Sequence, residues 1–356
     1  MEPIPVTTMD NTKVILKTRV IEWLSQLLKE NEVIAPTIGE IDDVVYCVVS
    51  SPEQVIWNFG NSLQPPKQFV LPQTDPIVRI EKQESGYNTQ PIYDVRQRVI
   101  FNIRSCDAAG IAFLTKVHAA DLPDDSYLKR ARSTTLINLA CTNPGADCFC
   151  TCTNSGPFLK ENYDLQLTDL GESYFAEAGS ENGRLVLDEA NGLFRSPTDE
   201  ELSKRYELEL AAKNSFGKET CHFASAMRRI STRRVEQKLW EDMSEWCIEC
   251  GACNMICPTC YCFSVKDRKQ DNGWLRCRIG DSCQFPAFTL EASGHNPREK
   301  RADRMKRRFF HKVSAQYFYR DKMVGCVGCG RCVKVCFGAT DMPSVVGAIR
   351  KGEWNG

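Results

Sequence analysis

What the sequence lacks narrows the field first. No apolar strand leads into a G-x-G-x-x-G turn and no P-loop occurs, so neither a nicotinamide nor a nucleotide has a recognisable cradle. The four histidines, His118, His222, His295 and His311, are scattered, and no Ser-His-Asp or carboxylate constellation can be assembled. No segment approaches the roughly 18 uninterrupted apolar residues of a membrane span. The opening "MEPIPVTTMDNTKV" has no basic stretch leading into an apolar core. Charge of one sign is absent too. Lys plus Arg number 45 against 46 Asp plus Glu, which offers no general attraction for nucleic acid or a lipid surface. The expectation is a cytoplasmic protein with neither a nucleic-acid partner nor direct membrane insertion.

Cysteine is what the sequence has in excess. Nineteen thiols, odd in number and unevenly spread, are a poor disulfide framework in a reducing compartment, and metal ligation is the leading explanation. The stretch "CIECGACNMICPTCYC" puts six of them in sixteen residues. Within it Cys247, Cys250, Cys253 and Cys257 follow C-x2-C-x2-C-x3-C-P, the bacterial ferredoxin run for a 4Fe-4S cluster. Cys326, Cys329, Cys332 and Cys336 repeat that spacing, each 79 residues after its counterpart, with Phe337 in place of Pro258.

The spacing has a physical reason. Thiols at two-residue intervals let one tight loop wrap three corners of a cubane, and Gly251, Gly328 and Gly330 give its backbone room. In two-cluster ferredoxins the fourth cysteine of each run ligates the other cluster. The expected ligand sets are therefore crossed: Cys247, Cys250, Cys253 and Cys336 for one cluster, Cys326, Cys329, Cys332 and Cys257 for the other. Two rival readings use the same letters. "CNMICPTC" matches the C-x3-C-x2-C of radical S-adenosylmethionine enzymes but lacks their strand-helix repeats, and C-x2-C pairs also suit zinc.

The rest of the chain reads as α/β (or α+β). "RVIEWLSQLLKE" has Val20, Trp23, Leu24, Leu27 and Leu28 at helical spacing, and "VVYCVVS" reads as a buried strand. Four prolines from Asn61 to Pro76 mark a loop. "RVIFNI" and "TTLINLA" then place Cys106 and Cys141 just past two strand ends, where ligands gather in α/β sheets, and Asp107 can cap the helix that follows. The expected organisation is an α/β domain over 1–195 with a cysteine cluster at 141–152 and a charged helical connector over 196–240. A mainly helical, ferredoxin-like dicluster domain follows over 241–356, with a long insertion at 258–325.

Cys260, Cys262, Cys277 and Cys283 remain once both clusters are filled. With Cys141, Cys148 and Cys150 they leave a third cluster open, and Cys141, Cys148, Cys150 and Cys283 are its candidate ligands. Cys47, Cys106 and Cys221 read as small buried hydrophobes. The basic run Asn296 to Lys312 reads either as a solvated helix or as a source of charge, from Arg298, Arg304, Arg307 and Arg308, that offsets the clusters or docks an acidic partner.

Beyond spacing, "WCIECGACNMICPTCYCF", "DSCQFPAFTLEASGHNPREKRADRMKRRFFHK" and "GCVGCGRCVKVC" resemble the iron-sulfur subunit family shared by anaerobic sulfite reductase and cytoplasmic sulfhydrogenase, where it is the beta subunit. "RSCDAAGI", "CFCTCTNSG" and "DLQLTDLGESYFAEA" extend the resemblance, which runs from about Val95 to Val346. Ser105 stands where the family has proline. The resemblance implies an electron relay. One partner would be a flavin subunit handling NAD(P)H, with FAD and NAD(P) bound there, and the other a catalytic redox subunit. The competing class is an oxidoreductase subunit whose N-terminal domain binds its own flavin or substrate.

Overall fold

The computed structural model describes residues 11–354 except 191 and 217–220, so the first ten residues of the expected 1–195 domain lie outside it. Twelve strands occur among the described residues: β1 Thr12–Leu16, β2 Glu32–Ile38, β3 Val44–Val48, β4 Thr74–Gln83, β5 Gly86–Pro91, β6 Arg98–Arg104, β7 Thr134–Leu139, β8 Leu165–Asp169, β9 Ser173–Ala178, β10 Phe194–Arg195, β11 Phe263–Gln270 and β12 Gly273–Gly280. Eight form a mixed sheet in the order β10-β1-β9-β8-β7-β6-β2-β3. Its centre, β2-β6-β7-β8, is parallel.

Every residue of β6 is buried, as expected of a parallel strand covered on both faces. The helix Val20–Glu30 covers one face through Val20, Trp23, Leu24 and Leu27, with the Trp23 ring set edge-on to Phe101 at 5.5 Å. Each such buried side chain contributes about 1.5–3 kcal/mol. The helices Ser105–Ala119 and Asp125–Arg132 cover the other face, where Phe113, Leu114 and Tyr127 pack with Val327 of the second cysteine run. The N-terminal α/β layers and the cysteine-rich region thus share one core.

The second sheet, β11-β12-β4-β5, joins them again. Strand β12 lies in the 258–325 insertion yet pairs antiparallel with β4, so the sheet crosses the expected boundaries at 195 and 241. Buried Asp75 of β4 accepts from Arg130 at 2.7 Å and from Arg278 of β12 at 2.6 Å, which fixes the insertion against the helix Asp125–Arg132. The connector also divides. Phe223, Ala226, Ile230, Trp240 and Met243 pack with Met305, Phe309, Val345 and Ile349 in a helical core, so its later half belongs to the C-terminal body. Beyond residue 221 the chain outside β11 and β12 is mainly helical.

Asp107 differs from the sequence expectation. The helix Ser105–Ala119 has Arg104 at its N-cap and no side-chain cap. The Asp107 carboxylate instead accepts two hydrogen bonds from Arg331, at 2.6 and 2.8 Å, with both side chains about 1% exposed. Arg331 also donates to the Ser62 carbonyl at 2.7 Å. This pair ties the α/β sheet to the second cysteine loop. Asp107→Ala leaves a guanidinium buried without its anion, and a loss of about 3–5 kcal/mol is expected from denaturant titration of the full chain. A change below about 0.5 kcal/mol would show that the pair is energetically idle.

Candidate metal centre

Each cysteine run opens on a tight turn and continues into a short helix. Gly251 (φ 71°) precedes the helix Ala252–Met255, and Gly330 (φ 74°) precedes the helix Arg331–Val335. These left-handed positions suit glycine, which has no Cβ to clash. Backbone amides then point at sulfur: Gly328 N–H donates to Cys326 Sγ at 3.4 Å, and Thr340 N–H to Cys336 Sγ at 3.2 Å.

The two runs interleave. Burial raises the pKa of the Cys247 and Cys253 thiols, and the nearby charge of Cys336 adds to it. Burial likewise raises Cys326, and pushes Cys332 up to about 12, with Cys257 adding in both cases. The charge of Cys336 thus bears on Cys247 and Cys253 of the first run, and that of Cys257 on Cys326, Cys329 and Cys332 of the second. Cys250 is exposed at the surface.

Two buried cations, Lys312 and Arg308, and the half-buried Lys67 lie against these thiols and their backbone. Lys312 Nζ donates to Cys257 Sγ at 3.3 Å, to Thr259 Oγ1 at 2.8 Å and to the Gly325 carbonyl at 2.8 Å. Burial works against its charge, but the Cys257 and Cys260 thiolates outweigh that and hold its pKa above the ordinary lysine range. Arg308 is 3% exposed and donates to Asn254 Oδ1 at 3.0 Å, while its Nη1 is buried with no hydrogen-bond partner. Lys67 donates to the carbonyls of Cys257 and Cys260. Among the described residues none of the three has a carboxylate partner within salt-bridge distance.

The basic run thus splits in two. Arg304 is buried and paired with Glu249, whereas Arg307 lies over the Tyr317 ring at 5.1 Å. Burial of Arg308 and Lys312 carries the charge-offsetting reading, and Lys312 was not among the arginines that sequence reasoning singled out. Its place one helical turn beyond Arg308 and Phe309, on the buried face, was the available signal.

The expected third ligand set is not brought together. The Cys283 thiol accepts from Asn254 Nδ2 at 3.0 Å, and a hydrogen bond from Cys262 lowers its pKa to about 5. Cys260 is hydrogen-bonded with Cys257. Cys141, Cys148 and Cys150 lie instead against Cys329, at the carboxyl ends of β6 and β7. The reason is β12: its pairing with β4 leads the chain to Cys283 beside Asn254, outside the cavity that Cys141, Cys148 and Cys150 line. Cys47 is exposed on edge strand β3, contrary to its reading as a buried hydrophobe. Cys106 is buried as expected, and Cys221 half-buried beside Cys152.

Among the described residues no three His, Cys, Asp or Glu side chains converge to hold a single metal ion. A cubane asks for a different arrangement, four thiolates each reaching its own iron. The interleaved runs fit that group: thiols from two loops, amides aimed at sulfur, and a buried arginine N–H still lacking an acceptor. The loops are closely seated. A Cβ on Gly330 would lie 2.6 Å from the Asp147 carbonyl oxygen, and one on Gly328 would lie 2.5 Å from the Phe149 carbonyl carbon. Gly330→Ala is expected to part the 145–150 and 326–332 loops and lower iron content, whereas Gly294→Ala, which has φ 83° but meets nothing within 4 Å, should leave iron unchanged. Iron assay of the two variants side by side checks this.

No described helix is long and apolar enough to cross a membrane. A family model described as a 4Fe-4S dicluster domain matches residues 246–340, which span both cysteine runs and the insertion between them. The chain is also 30% identical over 314 residues to sulfhydrogenase 2 subunit beta of Pyrococcus furiosus, a match covering 85% of this chain and 88% of that protein. With that identity over nearly the whole of both chains, and with the matched domain falling on the interleaved thiols, this chain belongs to the family of 4Fe-4S dicluster iron-sulfur subunits that includes the sulfhydrogenase beta subunit.

Proposed function

We propose that the protein is a non-catalytic electron-transfer subunit of a cytoplasmic oxidoreductase complex. It relays electrons between a flavin subunit that handles NAD(P)H and a catalytic redox subunit. One 4Fe-4S cluster is held by Cys247, Cys250, Cys253 and Cys336, the other by Cys326, Cys329, Cys332 and Cys257. FAD and NAD(P) belong to the partner. The clusters supply one-electron chemistry, and the chain holds them, shields them and sets their potential through burial, hydrogen bonds to sulfur and nearby charge.

The observation that carries this reading is the set of unpaired buried cations. Burying a charge costs several kcal/mol unless an opposite charge answers it. Arg308 faces thiols of both ligand sets, Cys253 of one and Cys332 and Cys257 of the other, which are the anions available to it. Its position also suits a relay, because a charge between two clusters acts on both. The exposed Cys250 edge, flanked by Trp246, Ile248 and Phe337 at 52%, 65% and 90% exposure, gives the first cluster a face that a partner can approach.

Anaerobically purified chain tests the reading directly. Dithionite should produce the paramagnetic signals of reduced 4Fe-4S clusters, while NAD(P)H alone should produce none. Bleaching of the clusters by NAD(P)H in the isolated chain would move the activity into this protein itself. Near-zero iron with zinc bound would end the relay reading.

A further inference from the structure

The α/β half carries a second thiol constellation, apart from the interleaved runs. Strands β6 and β7 are parallel neighbours, paired from Arg98 with Thr134 to Arg104 with Leu139. Their carboxyl ends open into a cavity of about 510 Å³. Crevices at that edge of a parallel sheet are where ligands bind. Four cysteines line it: Cys106, second residue of the helix after β6, Cys141 after β7, and Cys148 and Cys150 on the loop beyond.

A second observation points to an anionic occupant. Arg104, 6% exposed, lines the same cavity, and its guanidinium donates only to the carbonyls of Gly60 and Phe59. No described carboxylate pairs with it. Cys106 is buried in the first turn of the 15-residue helix that follows β6, which holds its side chain at the cavity wall.

We propose that Cys106, Cys141, Cys148 and Cys150 bind a further iron-sulfur cluster of the 4Fe-4S class in the cavity at the carboxyl ends of β6 and β7. The thiols surround a space much larger than one ion, whereas zinc requires four sulfurs about 2.3 Å from a single centre. Cys106 takes the place that sequence reasoning gave to Cys283. The site adjoins the second ferredoxin-type cluster. Cys329 lines the same cavity, the Cys148 thiol lies 4.0 Å from the Cys329 carbonyl, and Phe149 N–H donates to the Gly328 carbonyl at 2.8 Å. This arrangement extends the relay from the exposed Cys250 edge into the α/β half. It rests on the chain being an iron-sulfur protein but not on the identity of its partners.

The test is iron, sulfide, zinc and flavin content of the anaerobically purified full chain, beside Cys148→Ala, Cys106→Ser and Cys283→Ala. About 12 irons are expected in the unmodified chain and about 8 in Cys148→Ala, with Cys283→Ala keeping about 12. Cys148 sits half-exposed on a loop, so its loss removes no core packing, and the retained signals of the two ferredoxin-type clusters verify folding. Cys106→Ser should follow Cys148→Ala, or keep the cluster with a shifted spectrum through serine ligation. About 8 irons in the unmodified chain, or an unchanged count in Cys148→Ala, would overturn the proposal. So would a drop in Cys283→Ala alone, which would move the site to Cys260, Cys262 and Cys283. A bound flavin or one zinc beside about 8 irons would assign the cavity to that ligand instead. Absence of every cluster signal would sink the relay reading rather than this site alone.

Discussion

Alanine at both Cys257 and Cys326 is expected to remove no more iron than either substitution alone, about four per chain, whereas alanine at Cys257 and Cys250 removes about eight. The asymmetry follows from the interleaving. Cys257 belongs by sequence to the run of Cys250, but its charge bears on Cys326, Cys329 and Cys332, as the proposed crossed ligand sets require. Two ligands of one cluster are redundant in their loss, and ligands of two clusters add. The comparison belongs in a Cys260→Ser background, because the Cys260 thiol is bonded to Cys257 and is the nearest substitute ligand. Iron loss that tracked the sequence runs, with Cys257 and Cys250 redundant, would show that each run folds around its own cluster.

Lys312→Met is expected to lower the reduction potential of the cluster proposed for Cys326, Cys329, Cys332 and Cys257. Reduction adds negative charge, so a cation beside the cluster stabilises the reduced state and raises the potential; deleting it does the reverse. A unit charge about 5 Å away at an effective dielectric of about 20 contributes roughly 3 kcal/mol. For one electron that corresponds to a fall on the order of 100 mV. Methionine keeps the buried stem but gives up the Nζ hydrogen bonds to Thr259 Oγ1 and the Gly325 carbonyl, so iron content is measured beside the potential to verify that the cluster is retained. Arg308→Gln should lower both clusters together, because Arg308 faces thiols of both sets. Potentiometric titration followed by electron paramagnetic resonance separates the cases. A shift below roughly 20 mV for Lys312→Met would mean that solvent or a compensating charge screens it.

The α/β layers were legible from strand-and-turn units. "RVIFNI" and "TTLINLA" read as strands, and the structure makes them parallel neighbours, which brings Cys106 and Cys141 to one edge. The 258–325 insertion was not legible. Its first strand, β11, is mostly exposed, and β4, the partner of β12, lies about two hundred residues earlier. The charged run from Asn296 to Lys312 read equally as a solvated helix or as a source of offsetting charge, because the buried face of its helix is made of Arg304, Arg308 and Lys312 as well as Met305 and Phe309. Polarity alone misleads where the core contains anionic groups for cations to answer.

By itself the sequence determined the donor chemistry and the local loop geometry, since two-residue cysteine steps and left-handed glycines act within a single turn of chain. Only the tertiary structure decided which thiols stand together and which charges are buried among them. Asp107 meets Arg331 across 224 residues, Cys148 meets the Cys329 backbone across 181, and Cys283 goes to Asn254 rather than to Cys148. Spacing fixes neighbours that share a loop, because the covalent chain limits their separation. Groups brought together from distant segments depend on strand pairing and core burial, which no local pattern records.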